Sequence, residues 1–248
     1  MSVAVMLPTY NEAENIENLI NDIQSLNLDL TIAVIDDSSP DGTADIVRKL
    51  QKKRPSKIHL VSRSEKLGLG TAITDGFRYL LSLKKPPRYI VAMDADYSHN
   101  PEDIPRLVDA ARSGYEISIG SRYYPGGKVI GSPWSRRLVS RLANLMAATL
   151  IGKRIRDCTS GFRCYSRTYV ETVLHELHSQ TYEIQIETLK QARLHDHGIR
   201  EVPITFVNRK RGKSKLTASE FKAFLTYMMK AAWKSLTSFS FPANRRMH

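Results

Sequence analysis

Five short apolar runs constrain this chain more than any other feature. They are VAVML (Val3–Leu7), TIAVIDD from Thr31, KIHLVS from Lys57, YIVAMD from Tyr89 and YEISIGS from Tyr115. Most are continuous rather than alternating, which predicts strands buried on both faces. Helical spacing fills the gaps. Ile16, Leu19, Ile20, Ile23 and Leu26 follow the first run, a helix is expected over about Asp41–Arg54, Ala72, Ile73, Phe77 and Leu80 follow the third, and Ile104, Leu107, Val108 and Ala111 the fourth. Strand–helix alternation of this kind predicts an α/β fold with a mostly parallel sheet covered by helices on both faces. Right-handed crossovers then gather the C-terminal ends of the strands at one edge, where open α/β sheets bind ligands.

Four polar loops meet at that edge: PTYNE, DDSSPDGT, SRSEKLGLG and DADYSH. Asp94 and Asp96 repel each other at the end of the fourth strand, with Asp36 and Asp37 facing the same region. Asn100 and Pro101 explain themselves as the cap and first residue of the next helix, but the helix start does not need the two acids. Paired carboxylates suit a hard divalent cation that keeps positions open for substrate phosphates. No G-x-G-x-x-G follows VAVML and no G-x-x-x-x-G-K-[ST] occurs, which argues against dinucleotide and P-loop sites. The two cysteines, Cys158 and Cys164, read as packing residues.

After Arg122 the pattern changes. YYPGGKVIGSPW reads as a long loop, followed by a helix over about Ser135–Ile151, the strand-like TSGFRCY, helices near Arg167–Leu177 and Tyr182–His197, and IREVPITFV as one strand. Glu183, Gln185 and Glu187 are expected on a solvated helix face, and His195 and His197 at the surface. The net charge of +12 is concentrated here: Asp157 is the one acid among nine Lys and Arg between Lys128 and Arg167, and RKRGKSK follows at Arg209–Lys215. An anionic partner is implied, whether phosphate ligand, nucleic acid or anionic membrane. No apolar run reaches the length of a membrane span and no signal peptide opens the chain. The segment Phe221–Leu236 predicts an amphipathic helix, apolar and aromatic on one face with Lys222, Lys230 and Lys234 elsewhere. Its destinations are the core, a membrane surface or a partner helix.

The ordered set PTYNE, DDSSPDGT, KLGLG, MDADYSH, GSRY, TSGFRCY and FVNRKRGKSKL resembles the inverting family-2 glycosyltransferases of the GT-A fold, among them the polyprenol-phosphate (dolichol-phosphate) mannose synthases. The resemblance spans almost all of residues 1–216, the expected catalytic domain, leaving 217–248 as the amphipathic helix and tail. It implies that Pro8, Tyr10, Glu12, Ile35 and Asp37 hold the donor's base and ribose. Asp94, Ala95 and Asp96 would hold Mg²⁺ or Mn²⁺ and the donor diphosphate, with Ser98 near the metal. Arg122 would bind the acceptor phosphate with Arg136 as helper, and Arg209 and Lys215 would close over both phosphates. Asp96, Arg122, Arg209 and Lys215 are the expected catalytic residues. Two departures stand out: Ser98 replaces an amide found in some relatives, and the C-terminal transmembrane helices of some members are absent.

The implied reaction moves mannose from GDP-mannose to a polyprenyl (dolichyl) monophosphate on the cytoplasmic side of a membrane. The protein would sit there peripherally, with a small integral-membrane subunit as another route of attachment. A UDP-glucose-dependent glucosyltransferase is the alternative. A nucleic-acid binder is the remote one, lacking interleaved aromatics or a binding motif and leaving Asp37, Asp94 and Asp96 unexplained.

Overall fold

In a computed structural model, the structure describes residues 2–152, 155–208 and Thr226. The strands β1 (Val3–Thr9), β2 (Leu30–Asp36), β3 (Ile58–Ser62), β4 (Tyr89–Ala92) and β5 (Ile117–Ser121) form where the apolar runs predict them. Between them lie α1 (Ile16–Ser25), α2 (Thr43–Lys53), α3 (Leu69–Leu81) and α4 (Ile104–Arg112). Asn100 accepts from the Glu102 N–H and Pro101 opens a 3₁₀ turn leading into α4, as the cap signals imply.

The remaining elements are β6 (Lys128–Ile130), α5 (Trp134–Ile151), β7 (Arg163–Ser166), α6 (Arg167–Val173), α7 (Ile184–Leu194), β8 (Ile199–Pro203) and β9 (Thr205–Val207). The main sheet runs β3-β2-β1-β4-β7-β5-β8, and β6 and β9 form a second, two-stranded sheet. All main-sheet pairings are parallel except those of β7, which lies antiparallel between β4 and β5. The two core layers explain the unbroken apolar runs. Ala4 and Met6 of β1 point toward α3, α6 and α7, whereas Val3, Val5 and Leu7 point toward α1 and α4.

Two expectations need correction. The expected loop YYPGGKVIGSPW contains β6, too short to show a period. The expected single strand IREVPITFV is two strands in two sheets. Ile204 makes the handover: its N–H donates to the Ser121 carbonyl (3.0 Å) and its carbonyl accepts from the Lys128 N–H (2.9 Å). Apolar periodicity records burial but not which sheet supplies it. Both cysteines are free and buried, and burial pushes the Cys158 thiol up to about 12. The amphipathic helix expected over Phe221–Leu236 lies outside the described residues, Thr226 excepted.

Candidate active site

A cavity of about 310 Å³ opens at the C-terminal edge of the sheet. In strand order β4 stands between β1 and β7, so its acids lie between the loops of β1–β3 on one side and those of β7 and β5 on the other. Asp94, Ala95, Asp96 and Ser98 all line the cavity, Asp94 half-exposed and Asp96 buried. The turn that presents them is unusual. Tyr97 takes a positive φ of 58°, and its ring packs outward with the hydroxyl donating to Asp22 on α1 (2.5 Å). With Tyr97 turned away, Asp96 and Ser98 stay buried, and the Ser98 N–H donates to Asp96 Oδ1 (3.0 Å). Asn11 and Ser38 take the same left-handed conformation in the neighbouring loops, a strain typical of functional edges.

His99, which the sequence reading left without a role, braces this turn. Its buried ring stacks on Phe162 (4.9 Å) and its Nδ1 accepts from the Asp94 N–H (3.4 Å). Burial holds its pKa below the usual range despite the nearby carboxylates, so the ring is neutral and Nε2 carries the proton. The Ser98 hydroxyl is buried with no hydrogen-bond partner, and so is the Gln185 side-chain oxygen, which also belongs to the cavity wall. Unpartnered buried oxygens beside two carboxylates are what a missing cation or polar ligand would satisfy. Among the described residues no cluster of three or more His, Cys, Asp or Glu forms a complete metal cage. The donor set therefore fits a hard cation that takes most of its ligands from substrate and water.

The β1–β3 side of the cavity holds Pro8, Tyr10, Glu12 and Asp37. The adjacent acids of DDSSPDGT divide their work. Asp36 accepts from Thr9 and Ser39 and ties the first two loops together, while Asp37 faces the cavity. Burial pushes the Asp37 carboxyl up, opposed by Arg63, whose Nη1 donates to it (2.5 Å), and by the Gly68 N–H (3.1 Å). Lys66 sits over the Tyr10 ring, 4.6 Å from its centre. Ile35 stands apart from these residues: its side chain is wholly buried beneath α3 and does not line the cavity. KLGLG is a docking surface. Gly70 donates to the Gln180 carbonyl, and a Cβ there would come within 2.2 Å of the Ser179 carbonyl oxygen.

That 178–181 loop is held by the acids expected on a solvated face, a correction to the sequence reading. Glu187 accepts from the His178 and Ser179 N–H groups, and Glu183 from those of Gln180 and Thr181; both are buried, as is Gln185. Weak apolar periodicity on α7 hides this, because the acids satisfy loop amides that only the fold brings near. His195 is exposed as expected, whereas His197 is half-buried against Tyr169.

On the β5 side, Arg122 lines the cavity but is held from behind. Its Nε and Nη2 fork onto the carboxylate of Asp157 (2.8 and 2.7 Å), Nη2 also reaches Thr159, and its backbone N–H donates to Asp157 Oδ2 (2.9 Å). Arg122 is 14% exposed and Asp157 is fully buried. Burial works against the Asp157 charge, yet Arg122 holds the carboxyl below the usual range. Glu201 on β8 secures the frame, accepting from Ser121 and from the Arg156 and Asp157 N–H groups. Asp157 was visible as the lone acid in a basic stretch, although nothing in the sequence identifies Arg122 as its partner. The Arg136 side chain, Arg209 and Lys215 lie outside the described residues.

The model of glycosyl transferase family 2 matches residues 4–174. The chain belongs to this family. It is 39% identical to the polyprenol monophosphomannose synthase of Mycolicibacterium smegmatis, over 88% of this chain and 82% of that one. It is 38% identical to the undecaprenyl-phosphate mannosyltransferase of Micrococcus luteus, over 88% of each. Among solved structures, the glucosyl-3-phosphoglycerate synthase of Mycobacterium tuberculosis, crystallised with Mn²⁺, UDP and glucosyl-3-phosphoglycerate, superposes with a TM-score of 0.66. The match covers 94% of this chain and 79% of that one at 20% identity, a likeness of fold. The GT-A expectation is thereby met.

Proposed function

We propose that this glycosyltransferase moves mannose from GDP-mannose to a polyprenyl monophosphate, with inversion at the anomeric carbon. One observation carries the reading: Asp94, Asp96, Asp37 and Arg122 line a single cavity, in a chain 38–39% identical to two polyprenyl-phosphate mannose transferases. The acids and the unpartnered Ser98 hydroxyl fit Mg²⁺ or Mn²⁺. When bound, such an ion neutralises charge on the departing nucleoside diphosphate.

The chain's own residues do the rest. Tyr10 and Asp37 orient the nucleotide, Asp37 fixed by Arg63 and Gly68. Arg122 meets the acceptor phosphate, its guanidinium plane set by Asp157 so that Nη1 is the nitrogen turned to an incoming oxygen. A phosphate monoester has a second pKa near ~6 and is mostly dianionic at neutral pH, so the nucleophile needs no general base. Arg209 and Lys215 close over the two phosphates in this reading, and Arg136 assists Arg122. The acceptor's polyprenyl chain requires the protein to work at a membrane surface, and among the described residues no helix is long and apolar enough to cross one.

The test is product formation by the purified chain with GDP-mannose, undecaprenyl phosphate and Mg²⁺ or Mn²⁺. The reading expects organic-extractable mannolipid and GDP in equal amounts. GDP release without mannolipid, or no turnover with either ion, would contradict it.

A further inference from the structure

We propose that Gln185 reads a hydroxyl of the transferred hexose and so helps set which sugar this enzyme moves. The proposal deepens the reading above, because it rests on a hexose passing from a diphosphate at Asp94 to a phosphate at Arg122. Thr159, Ser160 and Gly161 line the cavity between those two ends. Thr159 Oγ1 accepts from Arg122 Nη2 (2.7 Å). At the other end, a Cβ added to Gly161 would lie 3.5 Å from Asp94 Oδ1 and 3.5 Å from Gln185 Nε2. Glycine therefore leaves open the point where the carboxylate and the amide converge, and the hexose has to pass it.

Gln185, in the first turn of α7, is 4% exposed and belongs to the cavity wall. Its Oε1 is buried without a partner, and among the described residues the amide makes no hydrogen bond at either end. Buried amides are almost always bonded, so an idle one in a ligand cavity calls for a ligand. Its backbone, by contrast, is fixed. The wholly buried Arg163 donates to the carbonyls of Gln185 (2.7 Å), Ser160 (2.8 Å) and Cys158 (2.7 Å) and to the Thr188 hydroxyl (2.8 Å). One guanidinium thus fastens the start of α7 to the 158–160 turn, and the place of Gln185 beside Gly161 is set before any ligand arrives.

The chemistry of the side chain narrows the ligand. A carboxamide both donates and accepts, as a sugar hydroxyl does. It is no proton acceptor, so it is not a general base. The end that approaches Gly161 and Asp94 is the nitrogen, which gives a cation at Asp94 nothing to bind. A polar group built to bond a hydroxyl rejects the analogue lacking it far more strongly than an apolar wall does.

The test compares full-length parent with Gln185→Met, which keeps the length of the side chain without its hydrogen bonds. Both are assayed with GDP-mannose and its monodeoxy analogues, with undecaprenyl phosphate and Mn²⁺. The parent should lose roughly tenfold or more in kcat/KM when one particular hydroxyl is removed. Gln185→Met should lose as much with GDP-mannose itself and nothing further at that position, while penalties at the other hydroxyls persist. Its affinity for GDP with Mn²⁺ should stay within about twofold of the parent, and its Tm should not fall, because the amide has no partner in the unliganded protein. A parent indifferent to every deoxy donor, or a variant that keeps all of the parent's penalties, would overturn the proposal. Weaker binding of GDP with Mn²⁺ would place Gln185 at the diphosphate, and a lowered Tm would make it structural; either would overturn it too. A parent that forms no mannolipid would overturn only the assigned reaction, and calorimetric affinities of GDP-mannose and its deoxy analogues then decide the proposal by the same comparison.

Discussion

Replacing Asp157 by Asn should separate the positioning of Arg122 from its charge. Asp157 is fully buried and receives the backbone N–H, Nε and Nη2 of Arg122. Removing one partner of a buried ion pair costs about 3–5 kcal/mol, because the other charge is left uncompensated. Arg122 keeps a wet edge on the cavity, so the low end applies, about 3 kcal/mol. For a chain of this size each kcal/mol lowers Tm by roughly 2–4 °C, giving a fall of about 6–12 °C. The effect has a pH signature. The folded pKa of Asp157 is depressed, so its contribution to stability is present above the unfolded value near ~4 and is lost as pH falls toward the folded one. The parent should lose stability below about pH 4 through this group, a component missing from the variant. In activity, the acceptor KM should rise far more than that of GDP-mannose. Arg122→Met/Asp157→Leu should recover much of the stability and none of the acceptor affinity. A Tm within about 2 °C of the parent with unchanged acceptor KM would refute the reasoning.

Asp96→Ala should lower turnover by more than about a hundredfold, roughly 2.7 kcal/mol of barrier, with unchanged circular dichroism; activity within about tenfold would end its assignment to the diphosphate site. Lys215→Ala should reduce kcat more than donor affinity, and equal loss of both would argue against a closing role. Gly70→Ala should destabilise the 178–181 loop, since its Cβ would meet the Ser179 carbonyl oxygen at 2.2 Å. Hydrogen exchange at residues 178–181 should rise in that variant, and unchanged protection would show that the close approach is easily relieved.

The sheet and its helices were legible because strands buried on both faces leave continuous apolar runs, and the cavity-bearing edge because its loops concentrate Asp94, Asp96 and Asp37. What stayed hidden depends on partners distant in the chain. Glu183 and Glu187 resemble surface acids until the 178–181 amides are placed beside them. Arg122 resembles a free phosphate ligand until Asp157, 35 residues away, is seen behind it. His99 forms no metal-spaced pair, and its bracing of Asp94 depends on ring stacking with Phe162 from β7's approach. The split at Ile204 escapes periodicity because Val202, Ile204 and Phe206 carry the apolar alternation straight across it.

Donor competition tests the central claim most directly. The purified full-length chain is given equal GDP-mannose and UDP-glucose with undecaprenyl phosphate and either Mg²⁺ or Mn²⁺, and the lipid products are resolved by mass and anomeric configuration. The account predicts polyprenyl-phosphate mannose with inverted configuration as the dominant product, lost on chelation of the metal and in Asp96→Ala. Predominant glucolipid, or mannolipid with retained configuration, would contradict it.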